Sequence, residues 1–152
     1  MSQTITATMS QWAAGLEYQH VGDQAVHEAK RYLLDSLGCA LGGYLQEDVR
    51  YALAVLAEVA GAGPATVIGS GKKVDVVSAT LANALMVRVM DYNDIYWQQD
   101  PSHPSDLIPA ALAGAERMGT GGHEVIVGIV LGHYFEQRLC EAAFPGIRER
   151  GW

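Results

Sequence analysis

The chain is divided near its middle by the stretch Arg88-Val-Met-Asp91-Tyr-Asn-Asp94-Ile-Tyr-Trp-Gln-Gln-Asp100-Pro-Ser-His103-Pro-Ser105-Asp106, which we call the acidic connector. The segments on both sides of it are apolar, rich in alanine and leucine, and helix-like. The connector carries four carboxylates and a histidine within sixteen residues, and no lysine or arginine lies between Arg88 and Arg117. Acids close to one another and to an imidazole raise each other's pKa values and keep the imidazole cationic. We therefore expect a site of proton transfer between two core-forming helices.

Composition limits the class of protein. A chain of 152 residues, of which 49% are apolar, is one domain by length and can bury a sizeable core. The net charge of −7 and the sparse cations argue against general nucleic-acid binding. Cys39 and Cys140 stand far apart without C-x-x-C spacing, which favours two reduced, packed thiols over a disulfide or a metal site.

The sequence also predicts a location. The N-terminus has neither a basic nor an apolar region of the kind found in signal peptides. The most apolar run, residues 125–131, is too short to span a bilayer and indicates a buried helix. We expect a cytoplasmic protein that does not bind membranes.

The spacing of apolar residues predicts an all-α fold, an antiparallel helical array with one small β-hairpin. The predicted helices cover Thr4–Leu16 (weakly), Asp23 as N-cap to Gly42-Gly43, about Glu47–Ala60, Asp75 as N-cap to about Met90, Ser105-Asp106 to Gly119, and about His123–Ala143. The hairpin is predicted where residues 66–68 and 73–74 flank Gly69-Ser-Gly-Lys72, a turn that lacks phosphate-loop spacing. The last helix is apolar on nearly all sides in its first half, so we expect it to need partners from a larger folding unit.

The acids of the connector allow a second interpretation. Asp91, Asp94, Asp100, His103 and Asp106 are chemically suited to Mg²⁺ or Mn²⁺, but they lack the calcium-loop pattern and an H-x-x-x-H pair, so a site without metal is favoured. Capping and a solvated loop could account for Ser105, Asp106 and Asp94. Asp91 and His103 are harder to explain in this way. For Asp91 the reason is that a carboxylate at the end of a helix faces the negative end of the helix dipole. For the other four histidines, surface or core packing is favoured: His20, His27, His123 and His133.

The order of these residues resembles a known family. The elements are Asn83-x4-Arg88-x2-Asp91-Tyr-Asn-Asp94, then His103-Pro-Ser-Asp106, then Ala113-x2-Glu116 with a glycine-rich turn, together with Arg31-Tyr-Leu-Leu-Asp-Ser-Leu-Gly-Cys39 upstream and Gly132-x3-Glu136 and Arg138 downstream. They are similar to the MmgE/PrpD family over essentially the whole chain. The resemblance implies that residues 1–152 form the N-terminal portion of the large helical domain, without the lid domain. It also implies a homodimer and no metal or organic cofactor.

The resemblance implies a lyase acting on a small polycarboxylate, by proton transfer next to a carboxylate. The family includes 2-methylcitrate dehydratase, cis-aconitate decarboxylase and iminodisuccinate epimerase. Arg88, Asn93 and the long gap before His103 look most like the dehydratase branch. Ile95 stands where the family commonly has threonine, and Ala84 stands for a frequent glycine, so all three reactions stay open.

Roles follow for the residues of the connector. We predict that His103 is the catalytic proton carrier and that Asp91 orients it and holds its charge. Arg88 is either a clamp for a substrate carboxylate or the partner of Asp91 or Asp94 in a salt bridge. Asn93, Asp94 and Ser105 complete the predicted substrate-binding set. We expect no turnover from residues 1–152 alone, and the alternative function is a non-catalytic helical module for oligomerisation or partner binding.

Overall fold

A computed structural model describes residues 4–98, 100–143 and 145–151 of the chain. The helices of these residues are α1 (Ile5–Gly15), α2 (Asp23–Gly43), α3 (Glu47–Val59), α4 (Val76–Arg88), α5 (Ile108–Met118) and α6 (Gly122–Ala142). The strands are β1 (Ala65–Thr66), β2 (Lys73–Val74), β3 (Tyr96–Trp97) and β4 (Pro101–Ser102), and short 3-10 turns cover Tyr18–His20, Pro104–Leu107 and Arg148–Arg150. The predicted all-α class is confirmed.

The helix ends follow local signals in the sequence, with two differences. Asp75 caps α4 as predicted, because its carboxylate accepts a hydrogen bond from the backbone N–H of Ser78 at 2.9 Å. Helix α2 begins at Asp23 rather than after it, with Gly22 as N-cap, so this acid lies in the first turn near the positive end of the dipole. The residues predicted to start α5 form a 3-10 turn instead, and the α-helix begins only at Ile108.

The structure contains the predicted hairpin and a second one. Strands β1 and β2 are antiparallel, with Ala65 opposite Val74, which confirms the prediction. Strands β3 and β4 form a hairpin inside the acidic connector, with Tyr96 opposite Ser102. This second hairpin was not predicted, because strands of two residues leave no alternation of apolar and polar side chains to recognise in the sequence.

Helix α4 lies at the centre of the fold, where it packs on α2, α3 and α5, while α6 packs on α2 and α5. One buried cluster joins α2, α3 and α4 and consists of Cys39, Ala40, Val49, Val67, Ala82, Met86 and Val87. A second joins α2, α5 and α6 and consists of Val26, Ala29, Ile108, Ile126 and Ile129. At the end of α2, a Cβ on Gly43 would lie 2.1 Å from the carbonyl oxygen of Met86. Only glycine allows the two helices to approach so closely.

The predicted burial of α6 is confirmed for its first half, while its predicted dependence on partners from a larger folding unit stays a prediction. Ile126 and Ile129 are buried, and the apolar residues around them are half-buried against α2 and α5 of the same chain. The large exposed apolar side chains lie mainly on other helices, including Tyr51, Val55 and Val59 on α3 and Val77, Leu81 and Leu85 on α4. Among the described residues, both cysteines are free thiols. Within that same part of the chain, the helices are too short or too polar to traverse a lipid bilayer.

Candidate functional site

The acidic connector lies against α6 and the segment that follows it. Its β3 strand is anchored by the Tyr96 hydroxyl, which donates to the Glu141 carboxylate on α6 at 2.7 Å. The buried Asp100 accepts a hydrogen bond from the backbone N–H of Ile147 at 2.8 Å. Asp100 therefore has a structural partner, and the described residues include no group of three or more metal-ligating side chains placed to hold an ion.

Arg88, the last residue of α4, folds over the start of the connector. Its Nη1 donates to the Asp91 carboxylate and lies 3.5 Å from Oδ1 of Asn93, and its Nε lies 3.9 Å from Oδ2 of Asp106. Asp91 adopts a left-handed backbone (φ 54°), and its N–H donates to the carbonyl oxygen of Arg88 at 2.9 Å. The structure thus contains the predicted salt bridge between Arg88 and Asp91. The second carboxylate near Arg88 is that of Asp106, whereas Asp94 was the other predicted partner.

The two carboxylates beside Arg88 differ in their acidity. The hydrogen bond and the charge of Arg88 lower the pKa of Asp91, so the expectation of mutually raised values is wrong for this residue. Burial raises the pKa of Asp106, and the nearby Arg88 only partly opposes this effect. Arg88 therefore neutralises the exposed Asp91, whereas the half-buried Asp106 is easier to protonate.

Asn93 and Ser105 join the two halves of the connector. The Asn93 side chain is buried, and its Nδ2 donates to Oγ of Ser105 at 3.0 Å and to Oδ1 of Asp106 at 3.1 Å. Ser105 is fully buried. These two predicted substrate-binding residues are therefore brought together, with each side chain already hydrogen-bonded within the protein.

His103 is held by Asp94. Its Nδ1 lies 2.6 Å from the backbone carbonyl oxygen of Asp94, and Oδ1 of Asp94 accepts the N–H of Ser105 at 3.1 Å. A carbonyl oxygen only accepts, so we assign the proton to Nδ1, which leaves Nε2 of the neutral ring free to take up a proton. Among the described residues, no hydrogen bond joins Asp91 to His103, and Asp91 acts on it as a neighbouring charge. The contact that orients the imidazole comes from Asp94.

Helix α6 adds two polar residues, His133 and Glu136, that were not among the predicted site residues. His133 Nε2 lies 3.9 Å from Oδ2 of Asp94, and burial lowers the pKa of this histidine while Asp94 opposes the shift. Burial also raises the pKa of Glu136. The Ser102 hydroxyl and the His103 backbone N–H oppose that shift of Glu136. Within the described part of the chain, His133 Nε2 is buried without a hydrogen-bond partner. The signal in the sequence is the spacing of His133 and Glu136, which lie about one helical turn apart and follow the apolar run of residues 125–131.

The sequence of the chain matches known proteins. A family model described as the MmgE/PrpD N-terminal domain matches residues 7–152. The chain belongs to the MmgE/PrpD family. Its relatives include a cis-aconitate decarboxylase of Aspergillus terreus, 25% identical over 97% of this chain and 31% of its own length. The cis-aconitate decarboxylase-like protein oryM of Aspergillus oryzae is 25% identical over 97% of this chain and 32% of its own. A probable 2-methylcitrate dehydratase of Saccharomyces cerevisiae is 27% identical over 70% of this chain and 22% of its own.

These relatives are enzymes with lyase-type names, and the predicted family is confirmed. The chain spans about a third of the length of the decarboxylase relatives that it matches. The family match therefore applies to the N-terminal helical domain of these enzymes.

Proposed function

We propose that this chain carries the N-terminal part of the active site of a cofactor-independent lyase, most like 2-methylcitrate dehydratase, that acts on a small polycarboxylate. The observation that carries the proposal is the orientation of His103 by the Asp94 carbonyl, in a connector that also contains the guanidinium of Arg88. A proton on carbon next to a carboxylate is weakly acidic, so its removal needs a positioned base and nearby cations. The connector supplies both kinds of group.

His103 is the proton carrier in this proposal. With Nδ1 occupied by the Asp94 carbonyl at 2.6 Å, the neutral ring presents Nε2 as a base. After it takes a proton, the cation is stabilised by the carboxylates of Asp91 and Asp106, whose pKa values respond to the charge of His103. Asp91 then holds the charge of His103 from a distance, and Asp94 sets the orientation of the ring.

Arg88 is the proposed clamp for a substrate carboxylate. Its guanidinium is about two-fifths exposed, and the contacts to Asp91 and Asp106 leave part of its planar fork open for a bidentate anion. A substrate carboxylate would replace the exposed Asp91 as the partner. Asn93, Asp94 and Ser105 form the wall behind this position, and we propose that they shape it.

The named relatives suggest two reactions. Dehydration takes a proton from the carbon next to a carboxylate and expels hydroxide as water, and decarboxylation loses CO₂ and adds a proton to the remaining carbon. Both need the same proton carrier and the same cations. The match to cis-aconitate decarboxylase covers more of this chain than the match to the dehydratase, which makes decarboxylation the second candidate.

Binding of polycarboxylates tests the proposal on this chain. We expect 2-methylcitrate or cis-aconitate to shift the NMR signals of the Arg88 guanidinium and the His103 ring, and Arg88→Lys to weaken binding about tenfold, the cost of a lost bidentate pair. His27→Gln, an exposed site on α2, is the control. Unshifted Arg88 and His103 signals at saturating ligand would rule out this function. We expect no turnover by the 152 residues alone, because water in an open site weakens the electrostatic effect of its positioned charges.

A non-catalytic module for oligomerisation or partner binding is the other candidate. The observation that favours it is the row of exposed apolar side chains Val77, Leu81 and Leu85, four residues apart along α4. Light scattering on the purified chain addresses it, and also tests the predicted homodimer. Concentration-dependent association without any effect of polycarboxylates would favour this role.

A further inference from the structure

His133 is buried on α6 with one ring nitrogen unpaired. Its Nδ1 lies 3.0 Å from the carbonyl oxygen of Ile129, one turn earlier in the helix. Because that carbonyl only accepts, the proton lies on Nδ1. Nε2 has no hydrogen-bond partner among the described residues and lies 3.9 Å from Oδ2 of Asp94. The neutral ring therefore presents a lone pair to a carboxylate, whereas the protonated ring would present an N–H to it.

Asp94 connects this ring to the proposed proton carrier. One of its carboxylate oxygens faces His133, the other accepts the N–H of Ser105 at 3.1 Å, and its backbone carbonyl accepts from Nδ1 of His103 at 2.6 Å. The side chains of Asp94 and His133 are both nearly buried, at 12% and 11% exposure. A change in the position of Asp94 must therefore alter the contact that orients His103.

The other groups around this pair come from α2, α6 and the connector. From α2, the Tyr32 ring lies 4.9 Å from the His133 ring, and Glu28 lines the same groove of about 240 Å³. Burial raises the pKa of the Cys39 thiol on α2, and the charges of Asp35 and then of Asp94 raise it further. Glu136 on α6 and Asp106 in the connector are close to Asp94 as well. The surroundings are acidic and favour a cation at His133, whereas burial opposes it.

We propose that His133 is a positioning residue for His103, acting through Asp94. Uptake of a proton from water by Nε2 of His133 draws the Asp94 carboxylate into an ion pair and fixes the Asp94 carbonyl against Nδ1 of His103. Loss of that proton releases the carboxylate and loosens the contact. The significance of this link for catalysis rests on the proposed function, but the link itself is a property of this chain.

Imidazole NMR on the ¹⁵N-labelled chain tests the proposal without any substrate. The titration covers about pH 4 to about pH 8 and extends further below than above the ordinary histidine pKa of about 6.5, because burial lowers the pKa of His133. We expect the ring signals of His103 to show an inflection at the midpoint of His133, and those of His123 to show none. This wild-type measurement does not depend on the folding of any variant. Absence of the shared inflection would overturn the proposal.

Two variants test the same link at its source. His133→Phe keeps an aromatic ring at this position but removes the Nε2 that can donate to Asp94. We therefore expect the shared inflection to vanish and His103 to lose its predominant Nδ1–H form. His133→Gln restores a donor toward Asp94 and should retain that form. The matched control is His123→Phe, on the same helix but stacked on Tyr18. A folded His133→Phe variant with an unchanged His103 tautomer would contradict the positioning role. If the link holds and polycarboxylates fail to bind, only the proposed function fails.

Discussion

The two polar regions of this domain are both partly buried, but they differ in how completely their groups are paired. The first, which we call the hairpin clamp, consists of Thr66, Lys73, Asn83 and Glu116 and joins the β1–β2 hairpin to α4 and α5. Asn83 accepts the N–H of Ile68 at 2.9 Å and donates to the carbonyl of Thr66 at 2.8 Å. Glu116 accepts from the N–H and hydroxyl of Thr66 and from Lys73. Among the described residues, every buried polar side-chain atom of the hairpin clamp has a hydrogen-bond partner.

The acidic connector and the face of α6 beneath it are less completely paired. His133 buries Nε2 without a partner among the described residues. Burial raises the pKa of Glu136, and the Ser102 hydroxyl only partly opposes this shift. A buried polar atom without a partner is costly, and a catalytic role, a bound water or an ion can account for it. We therefore expect the clamp to contribute mainly to stability, and we propose that the connector contributes mainly to function.

The largest effect is expected at the centre of the hairpin clamp. Asn83→Ala leaves the N–H of Ile68 and the carbonyl of Thr66 without their partner, which should lower the free energy of unfolding by about 2–4 kcal/mol. Urea denaturation followed by circular dichroism measures it. The control is Ser36→Ala, another buried site, whose hydroxyl has no partner among the described residues. Equal losses in the two variants would remove the distinction between paired and unpaired groups.

A smaller loss is expected for Glu116→Gln, and it should depend on pH. Burial alone would raise the pKa of Glu116, but Lys73 and Thr66 outweigh it and hold the pKa below its usual value. The stabilisation is therefore complete above the ordinary glutamate pKa of about 4.3 and is lost as the pH falls through the lower folded value. We expect a loss of about 1 kcal/mol at neutral pH, which disappears in acid. A pH-independent loss would show that the charge does not matter.

Glu136→Gln should have the opposite sign. Burial raises the pKa of Glu136, so folding favours its protonated form, and stability is lost as the pH rises from the unfolded to the folded value. The glutamine variant should be more stable than the wild type by about 1 kcal/mol at neutral pH and equal to it in acid. Unfolding curves at both pH values, beside those of Glu116→Gln, provide the comparison. Destabilisation at neutral pH would place Glu136 with the structural groups of the clamp.

The smallest effect on stability is expected at Arg88. Its partner Asp91 is about three-quarters exposed, and exposed ion pairs contribute little to folding. We expect Arg88→Lys to unfold at the same denaturant concentration as the wild type while its binding of polycarboxylates falls. Calorimetric titration with cis-aconitate and urea denaturation separate the two properties. Lost stability with unchanged binding would identify Arg88 as a structural bridge instead of a clamp.

Several features of the site followed from motifs, and others did not. The order of Arg88, Asp91, Asp94 and His103 along the chain identified the family, and the family model confirms that membership. The orientation of His103 by the Asp94 carbonyl had no such signal, because any residue provides a backbone carbonyl. The role given to Asp91 stays a prediction, with its described hydrogen bond going to Arg88.

The helices, the first hairpin and the cap at Asp75 are predictable from local sequence, because these features depend on side chains and backbone groups only a few residues apart. The approach of His133 to Asp94, far apart in the chain, and that of Arg88 to Asp106 are visible only in the folded molecule. Such pairs form when α6 and the connector pack against the same core, and no local pattern encodes that packing. Burial then sets the acidity of His133, Glu136 and Asp106, because it is the fold that removes these groups from water.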